Sequence, residues 1–252
     1  MFGSWEVTST LKRKIYPYGT QYLPSNSLFE GSPRNRMEKP GDTTTYEVHY
    51  FSLSPTKILD DNTEIVDVAQ NISKAKIIAD RAYNSKSMST AYKQLSQVED
   101  VIWDYEKNPT RLTLQFGTLS DDLQPLGERR GEVYINARKG EAGKDDATNE
   151  RVFCTSERIR AVLLIPGDVV VSDTETITEY RVVKGSKGDH LKAVSRIAVY
   201  LTPNPNSREG VLWQSVGGKA VAFFDYEMDL RRVASPSSGP SVKTPKGYMQ
   251  TL

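Results

Sequence analysis

The chain has 252 residues, of which 37% are hydrophobic and 26% charged, and its mean hydropathy is -0.52. These proportions predict a folded domain that is peripheral to a membrane rather than integral, because no apolar run approaches the roughly 20 residues of a spanning helix. The chain has 33 Lys and Arg residues and 32 Asp and Glu residues. They are interspersed along the sequence and give a net charge of +1. With no dominant basic surface, the composition argues against a nucleic-acid partner.

Apolar and polar residues alternate with the period of two that is typical of half-buried β-strands. The alternating segments are 5–10, 46–50, 100–105, 112–116, 133–137, 159–164, 169–183, 193–201 and 222–230. Gly, Pro, Asn and Asp separate them, which predicts consecutive antiparallel hairpins that close on themselves. We therefore predict an all-β fold, a single antiparallel β-barrel over residues 1–233 with at most one or two short helices. The stretch from Tyr83 to Leu95 is the predicted helix.

Two segments lack this alternation. Residues 16–41 are rich in Pro, Gly, Ser and Asn and too long for a simple turn, which predicts a long loop or lid over one mouth of the barrel. Residues 234–252 turn to Ser, Pro, Lys and Gly, which predicts an extended tail. A small apolar anchor among cations predicts that the tail docks on a partner through Lys243, Lys246, Tyr248 and Met249. The alternative is a terminus without a role.

Tyrosines are plentiful on the faces that the alternation turns inward. They are Tyr46, Tyr50, Tyr105, Tyr180 and Tyr226. Such side chains can line a cavity for a planar apolar ligand with a polar rim. A packed interior in which the hydroxyls are hydrogen-bonded explains them equally well, and both interpretations stay open.

The sequence predicts no catalytic residues and no metal site. Only two histidines are present, so a site built from several histidines is excluded. Asp173 and Glu175 lie on one face of a predicted strand, where paired carboxylates can act as acid and base. A solvated face with cross-strand partners such as Lys192 or Arg196 is the favoured interpretation.

A tryptophan opens the first predicted strand and two arginines end the last, namely Trp5, Arg231 and Arg232. This arrangement resembles lipocalin-like barrels of the calycin type, in which a guanidinium caps the indole face through a cation–π contact. The resemblance implies that Trp5 packs against Arg232, or failing that Arg231, where the barrel closes. It also implies a container rather than a catalytic scaffold.

Further stretches resemble an uncharacterised domain family of cyanobacteria and plastid-bearing organisms. They are VSDTETI at 171–177, VSRIAVYLTPNPN at 194–206, AVAFFDY at 220–226, PRNRM at 33–37 and ADRAYN at 79–84. The resemblance would cover most of residues 5–233. It implies a chloroplast, thylakoid-associated location and a photosynthetic protein complex as partner.

Three functions follow from these observations. The first is a non-catalytic accessory protein that docks on, or helps assemble, a photosynthetic membrane complex. The alternative is a lipocalin-like carrier, or lyase-like chaperone, for a hydrophobic pigment or lipid held inside the barrel, which makes such a molecule the only cofactor expected. The third is an enzyme that uses Asp173 and Glu175.

Overall fold

The computed structural model describes residues 1–23, 38–53, 58–59, 65–67, 76–92, 98–118, 127–204, 207–234 and 239–251. The strands are β1 (Gly3–Ile15), β2 (Thr43–Ser52), β3 (Ile58–Leu59), β4 (Ile65–Asp67), β5 (Ile77–Ala79), β6 (Val98–Ile102), β7 (Arg111–Phe116), β8 (Arg129–Lys144), β9 (Arg151–Ile165), β10 (Asp168–Val182), β11 (His190–Tyr200), β12 (Ala222–Arg232), β13 (Ser241–Lys243) and β14 (Met249–Thr251). The helices are α1 (Arg81–Ala91) and α2 (Arg208–Val216), and Thr20–Tyr22 form one 3₁₀ turn.

Ten strands form one curled antiparallel sheet, in the order β5, β2, β1, β12, β11, β10, β9, β8, β7, β6. From β6 to β12 each strand pairs with the next strand along the chain, and β1 then pairs with β12. The prediction of an all-β, barrel-like antiparallel fold with at most two short helices is confirmed for the described residues. Neither of the two helices has the length and apolar character that a membrane span requires.

Helix α1 lies between the two ends of the sheet and packs against β2 and β6. Asp80 caps its first turn by accepting a hydrogen bond from the Tyr83 amide at 3.0 Å. Polar side chains of the helix then bond to the neighbouring strands: Asn84 Oδ1 accepts from the His49 amide at 2.7 Å, and Ser89 Oγ accepts from the Val98 amide at 2.8 Å. Since strand-edge amides need partners, the polar residues that weaken the helical pattern are the ones that attach it to the sheet.

The predicted alternation turns into a packed core along β1, β11 and β12. Trp5, Leu11 and Phe224 are at most 1% exposed. One end of the barrel, which we call the sealed end, is filled by Leu201, Val216 and Val221 together with Trp213. Burial of these apolar side chains supplies the main stabilisation of the fold.

Helix α2, which carries Trp213, lies at the sealed end. Ser207 caps the helix by accepting a hydrogen bond from the Gly210 amide at 3.2 Å. Position 210 has to be glycine, because a Cβ there would stand 1.7 Å from the carbonyl oxygen of Asn204. A glycine inside a helical pattern weakens the sequence signal, although here a close backbone contact requires it.

The C-terminal segment differs from the extended tail that its composition predicts. Strands β13 and β14 form a hairpin, and β14 runs parallel to β4 in a second, four-stranded sheet. Gln250 is fully buried, with Oε1 accepting from the Ser52 amide at 2.7 Å and Nε2 donating to the Ser52 carbonyl at 2.9 Å. Val242 packs against Phe2 and Phe51. The side chains of Gln250 and Val242 therefore attach this segment to the rest of the protein, although its average composition is polar.

The predicted lid at 16–41 is described only at its two ends, since residues 24–37 lie outside the described part of the chain. At one end, Tyr18 and Tyr22 pack on the Trp213 cluster. At the other, Glu38 accepts a hydrogen bond from the Tyr226 hydroxyl at 2.6 Å. Both described ends therefore lie at the sealed end of the barrel, and a lid over a mouth stays a prediction.

Candidate functional site

A cavity of about 2010 Å³ occupies the inside of the curled sheet away from the sealed end. Its apolar walls come from inward positions of β1, β7, β8, β9 and β11, and from residues next to α1. They include Trp5, Leu112, Leu114, Val133, Ile159 and Leu191. This part of the barrel is open and lined by side chains rather than packed, and ligand binding by the tyrosines stays a prediction.

Three of the five predicted tyrosines line the cavity, namely Tyr50, Tyr105 and Tyr180. The hydroxyls of Tyr50 and Tyr180 are hydrogen-bonded to each other. Burial, and then the neighbouring Tyr180, raise the pKa of Tyr50 well above its usual value. Burial also raises the pKa of Tyr180, so both hydroxyls stay protonated and present a polar patch on an otherwise apolar wall.

The other two tyrosines belong to the packed core. Tyr46 is buried beside Val7, with the ring of Tyr92 6.0 Å away. Tyr226 is buried next to Leu11 and donates to Glu38. The packed interpretation therefore holds for these two positions. Alternation shows that a residue points inward, but it does not show whether the space it enters is filled.

An ion pair spans the cavity from α1 to β9. Arg81 Nη1 donates to Glu157 Oε2 at 3.0 Å, and Arg81 Nη2 bonds to Oε1 as well. Arg138 of β8 lies directly opposite Glu157 in the strand register and also lines the cavity. Two guanidinium groups thus face one carboxylate, and Arg81 engages both of its oxygens.

One side of the cavity is formed by residues 137–144 of β8 and 151–158 of β9, which we call the open wall. Strand β7 pairs with β8 only from Arg129 to Tyr134, so the rest of β8 has no neighbouring strand on that side among the described residues. Phe153 is 39% exposed, and the ring of Tyr180 lies 6.3 Å from it. Lys144 stands opposite Arg151 at the end of the hairpin. The hairpin is long, because β8 continues to Lys144 and β9 begins at Arg151.

Trp5 makes the arginine contact that the resemblance implies, but this contact lies inside the sheet rather than where its two ends meet. The Arg232 guanidinium lies 4.3 Å from the Trp5 ring centroid, and Arg232 Nε donates to Asp189 Oδ1 at 2.6 Å. Arg231 points outward and pairs with Asp229 at 3.1 Å. The contact joins β1 to β12 inside the sheet, whereas the sheet ends at β5 and β6. Trp5 therefore helps to hold two long strands together, and α1 covers the gap between the ends.

Two of the four predicted docking residues contact other parts of the chain, and the other two are exposed on the surface. Lys246 bonds to Glu106 at 2.6 Å and lies 5.6 Å from the Tyr105 ring centroid. Tyr248 packs against the Phe2 and Val242 cluster. Lys243 and Met249 are exposed. The aromatic anchor therefore makes contacts within its own chain, and docking through this segment stays a prediction.

Asp173 and Glu175 do not form a paired acid and base. Arg160 donates to both oxygens of Asp173 at 2.7 Å. Glu175 accepts from the Ser156 hydroxyl at 3.2 Å and from the Tyr200 hydroxyl at 3.0 Å. Neither carboxylate lines the cavity. Within the described ranges, no group of three His, Cys, Asp or Glu side chains is placed to hold a metal ion.

A family model described as a domain of unknown function, DUF6816, matches residues 1–234. The chain belongs to this family. The DUF6816 match spans the whole ten-stranded sheet and therefore every wall strand of the cavity, while β13 and β14 lie beyond it. No curated protein and no solved structure matches the chain.

Sequence reasoning missed several charged residues of the cavity, among them Arg81, Glu157, Arg138, Lys144 and Arg151. Charged residues at inward positions of a strand pattern were the available signal, because such positions are normally apolar. The signal was hidden at Arg138 by a β-bulge between Ile135 and Ala137, which shifts the alternation by one residue.

Proposed function

We propose that the protein is a non-catalytic carrier that holds an apolar ligand inside its barrel. One observation supports this above the others, namely the cavity of about 2010 Å³ with apolar walls and a few polar groups. Ligand pockets are commonly about 300–1,000 Å³, so this cavity has room for a pigment-sized or lipid-sized molecule. The hydrogen-bonded pair Tyr50 and Tyr180 offers a polar contact beside the aromatic and aliphatic surfaces.

Fluorescence titration with phenylnaphthylamine, an uncharged aromatic probe that brightens in apolar surroundings, tests the proposal. Ile159→Trp places a bulky ring in the cavity and should weaken probe binding about tenfold or more. Val194→Trp on the outward face of β11 is the matched control, because Val194 is 54% exposed and does not line the cavity. An unmodified protein that fails to brighten the probe contradicts the carrier proposal.

The native protein gives a second, independent measurement. Organic extraction of protein purified from its source should release a pigment, detected by visible absorption, or a lipid, detected by mass spectrometry. A preparation that is colourless and lipid-free, from a protein that also does not bind the probe, would remove the carrier function.

The second candidate is an accessory protein that docks on a photosynthetic membrane complex at the thylakoid. The resemblance to a family of cyanobacteria and plastids motivates the setting, and the unpaired edge of β8 at 136–144 favours docking. An exposed strand edge can pair with a strand of another protein. Isolated thylakoid complexes should contain the protein in stoichiometric amount, and recovery only as a free monomer in every fraction would contradict this candidate.

A further inference from the structure

We infer that the ligand of the cavity is an amphipathic anion, whose apolar body lies in the barrel and whose acidic head group binds the cations of the open wall. The head group is an oxyanion, such as a carboxylate, sulfate or phosphate. This inference rests on the carrier function proposed above. The charge of the cavity lining is the first observation that supports it.

Basic side chains outnumber acidic ones in the cavity, although the chain as a whole is nearly balanced. Among the described residues that line it, only Glu106 and Glu157 are acidic. Both are already paired within the chain, Glu106 with Lys246 and Glu157 with Arg81. The lining therefore has a surplus of positive charge that these carboxylates do not neutralise.

Three of the surplus cations lie on the open wall, namely Arg138, Lys144 and Arg151. None of their side chains forms a hydrogen bond or ion pair with another described residue. Each is exposed, so its charge is hydrated in the empty protein. An oxyanion that meets them at the rim gains charge-assisted hydrogen bonds without first losing all of its water.

Lys144 and Arg151 stand directly opposite each other in the antiparallel register. Like charges in this arrangement destabilise a sheet. An unfavourable pair of like charges that no other residue of the chain compensates is typical of a functional position. An anionic group between the two side chains would convert their repulsion into attraction.

An apolar strip separates this pair from Arg138 along the wall. Gly140 and Ala142 occupy the two inward positions of β8 between them, opposite Thr155 and Phe153. A Cβ on Gly140 would come within 3.3 Å of the Phe153 ring, so glycine lets the ring lie close to the β8 backbone, and the ring is still 39% exposed. The wall therefore offers an exposed aromatic surface with cations at both ends, which matches an apolar body that carries an acidic head.

Two probes with the same aromatic body separate this inference from the carrier proposal. Anilinonaphthalene sulfonate carries a sulfonate that phenylnaphthylamine lacks. The sulfonate probe should bind about tenfold more tightly than the uncharged one, a difference of about 1.4 kcal/mol. The double variant Lys144→Gln with Arg151→Gln should abolish this preference and leave the affinity for the uncharged probe unchanged.

The matched control is Lys192→Gln with Lys219→Gln, which removes the same charge from exposed positions outside the cavity. This control should keep the full preference for the sulfonate. Both variants change exposed side chains, so circular dichroism melting should show the same transition as the unmodified protein. A preference lost only in the cavity variant supports the anionic head group.

Other results overturn the inference. Equal affinity for the two probes, or a preference that survives the cavity variant, removes the head-group site while the carrier function stands. Failure of both probes to bind removes the carrier function and the inference together. Sedimentation with phosphatidylserine vesicles tests a membrane surface as the alternative. If the cavity variant no longer sediments with the vesicles but keeps its preference for the sulfonate probe, the basic pair binds a membrane surface instead of a ligand head group.

Discussion

Apolar and polar residues alternate on both sides of the barrel, but the inward residues are packed on one side and partly exposed on the other. On the side of β1, β2, β11 and β12, which we call the packed wall, inward residues such as Trp5 and Phe224 are almost fully buried. On the open wall, the inward ring of Phe153 is 39% exposed and its neighbours on β8 are small or charged. The packed wall has a neighbouring strand on each side, whereas β8 pairs with no other described strand on one side beyond Tyr134. The packed wall therefore supplies most of the buried core and the open wall the exposed part of the cavity, and substitutions should separate the two.

Trp5→Ala should have the largest effect on the packed wall. Truncating a buried tryptophan costs about 3–5 kcal/mol, and here it also removes the surface under the Arg232 guanidinium. The free energy of unfolding in urea measures the loss. Phe153→Ala on the open wall is the comparison and should cost less than about 1 kcal/mol, because the ring is partly exposed already. Equal losses would mean that the two walls do not differ in packing.

Gln250→Ala should come next, because it removes the two hydrogen bonds that the Gln250 side chain forms with the buried amide and carbonyl of Ser52. A buried hydrogen bond that loses one partner costs about 1–3 kcal/mol, and relaxation toward water should limit the total to about 2–3 kcal/mol. Lys243→Ala, at an exposed position of the same hairpin, should be neutral. Identical urea curves for the two variants would restore the view of this segment as a tail that contributes nothing to the barrel.

Glu157→Gln tests the open wall, where charge should matter more for binding than for stability. Arg81 loses its charged partner, which should cost about 1 kcal/mol because the pair is only partly buried. Affinity for the sulfonate probe should rise about threefold, since one repelling charge is removed from a partly hydrated site. Glu175→Gln on the outer face should leave probe binding unchanged. A weaker sulfonate affinity after Glu157→Gln would contradict the charge argument.

Asp225→Asn should have the smallest effect and shows how the outer surface of the packed wall depends on pH. The hydrogen bond from Arg196 lowers the pKa of Asp225, burial opposes this, and Arg13 lowers it further. The exposed arginines limit the cost of the substitution to about 0.5–1 kcal/mol at pH 7.

The sign of this pH dependence follows from the direction of the shift. A carboxyl whose folded-state pKa is depressed stabilises the protein above its unfolded pKa, about 3.9, and the stabilisation is lost as the pH falls through the lower folded value. The difference between the unmodified protein and Asp225→Asn should therefore shrink below about pH 4. Asp146→Asn, at an exposed turn position, should match the unmodified protein in urea at pH 7 and pH 3. A difference for Asp225→Asn that is constant across this pH range would contradict the ion-pair explanation.

Sequence reasoning succeeded where the signal was local. Alternation identified the strands and the inward face that carries Trp5 and Leu230, and the helix predicted from Tyr83 to Leu95 overlaps α1 at Arg81–Ala91. It failed where one or two long-range bonds decide the outcome. Gln250 bonds to Ser52 across 198 residues, and nothing in the polar composition around Gln250 indicates that attachment. Helix α2 was missed because its glycine reflects contact with Asn204, which a propensity argument counts only as a cost.

The resemblance to lipocalin-like barrels implied the contact of a terminal arginine with Trp5, whereas the sequence by itself determined the all-β character of this protein and the inward faces of its strands. Those properties depend on the period with which apolar residues recur, and residues that are close together in the sequence set this period. Only the tertiary structure decided that Tyr50 and Tyr180 face a cavity while Tyr46 and Tyr226 are packed. It also brought Arg81, Arg138 and Glu157 to one site from three separate elements. Whether an inward position is filled or open depends on what stands across the barrel, and residues far apart in the chain supply that.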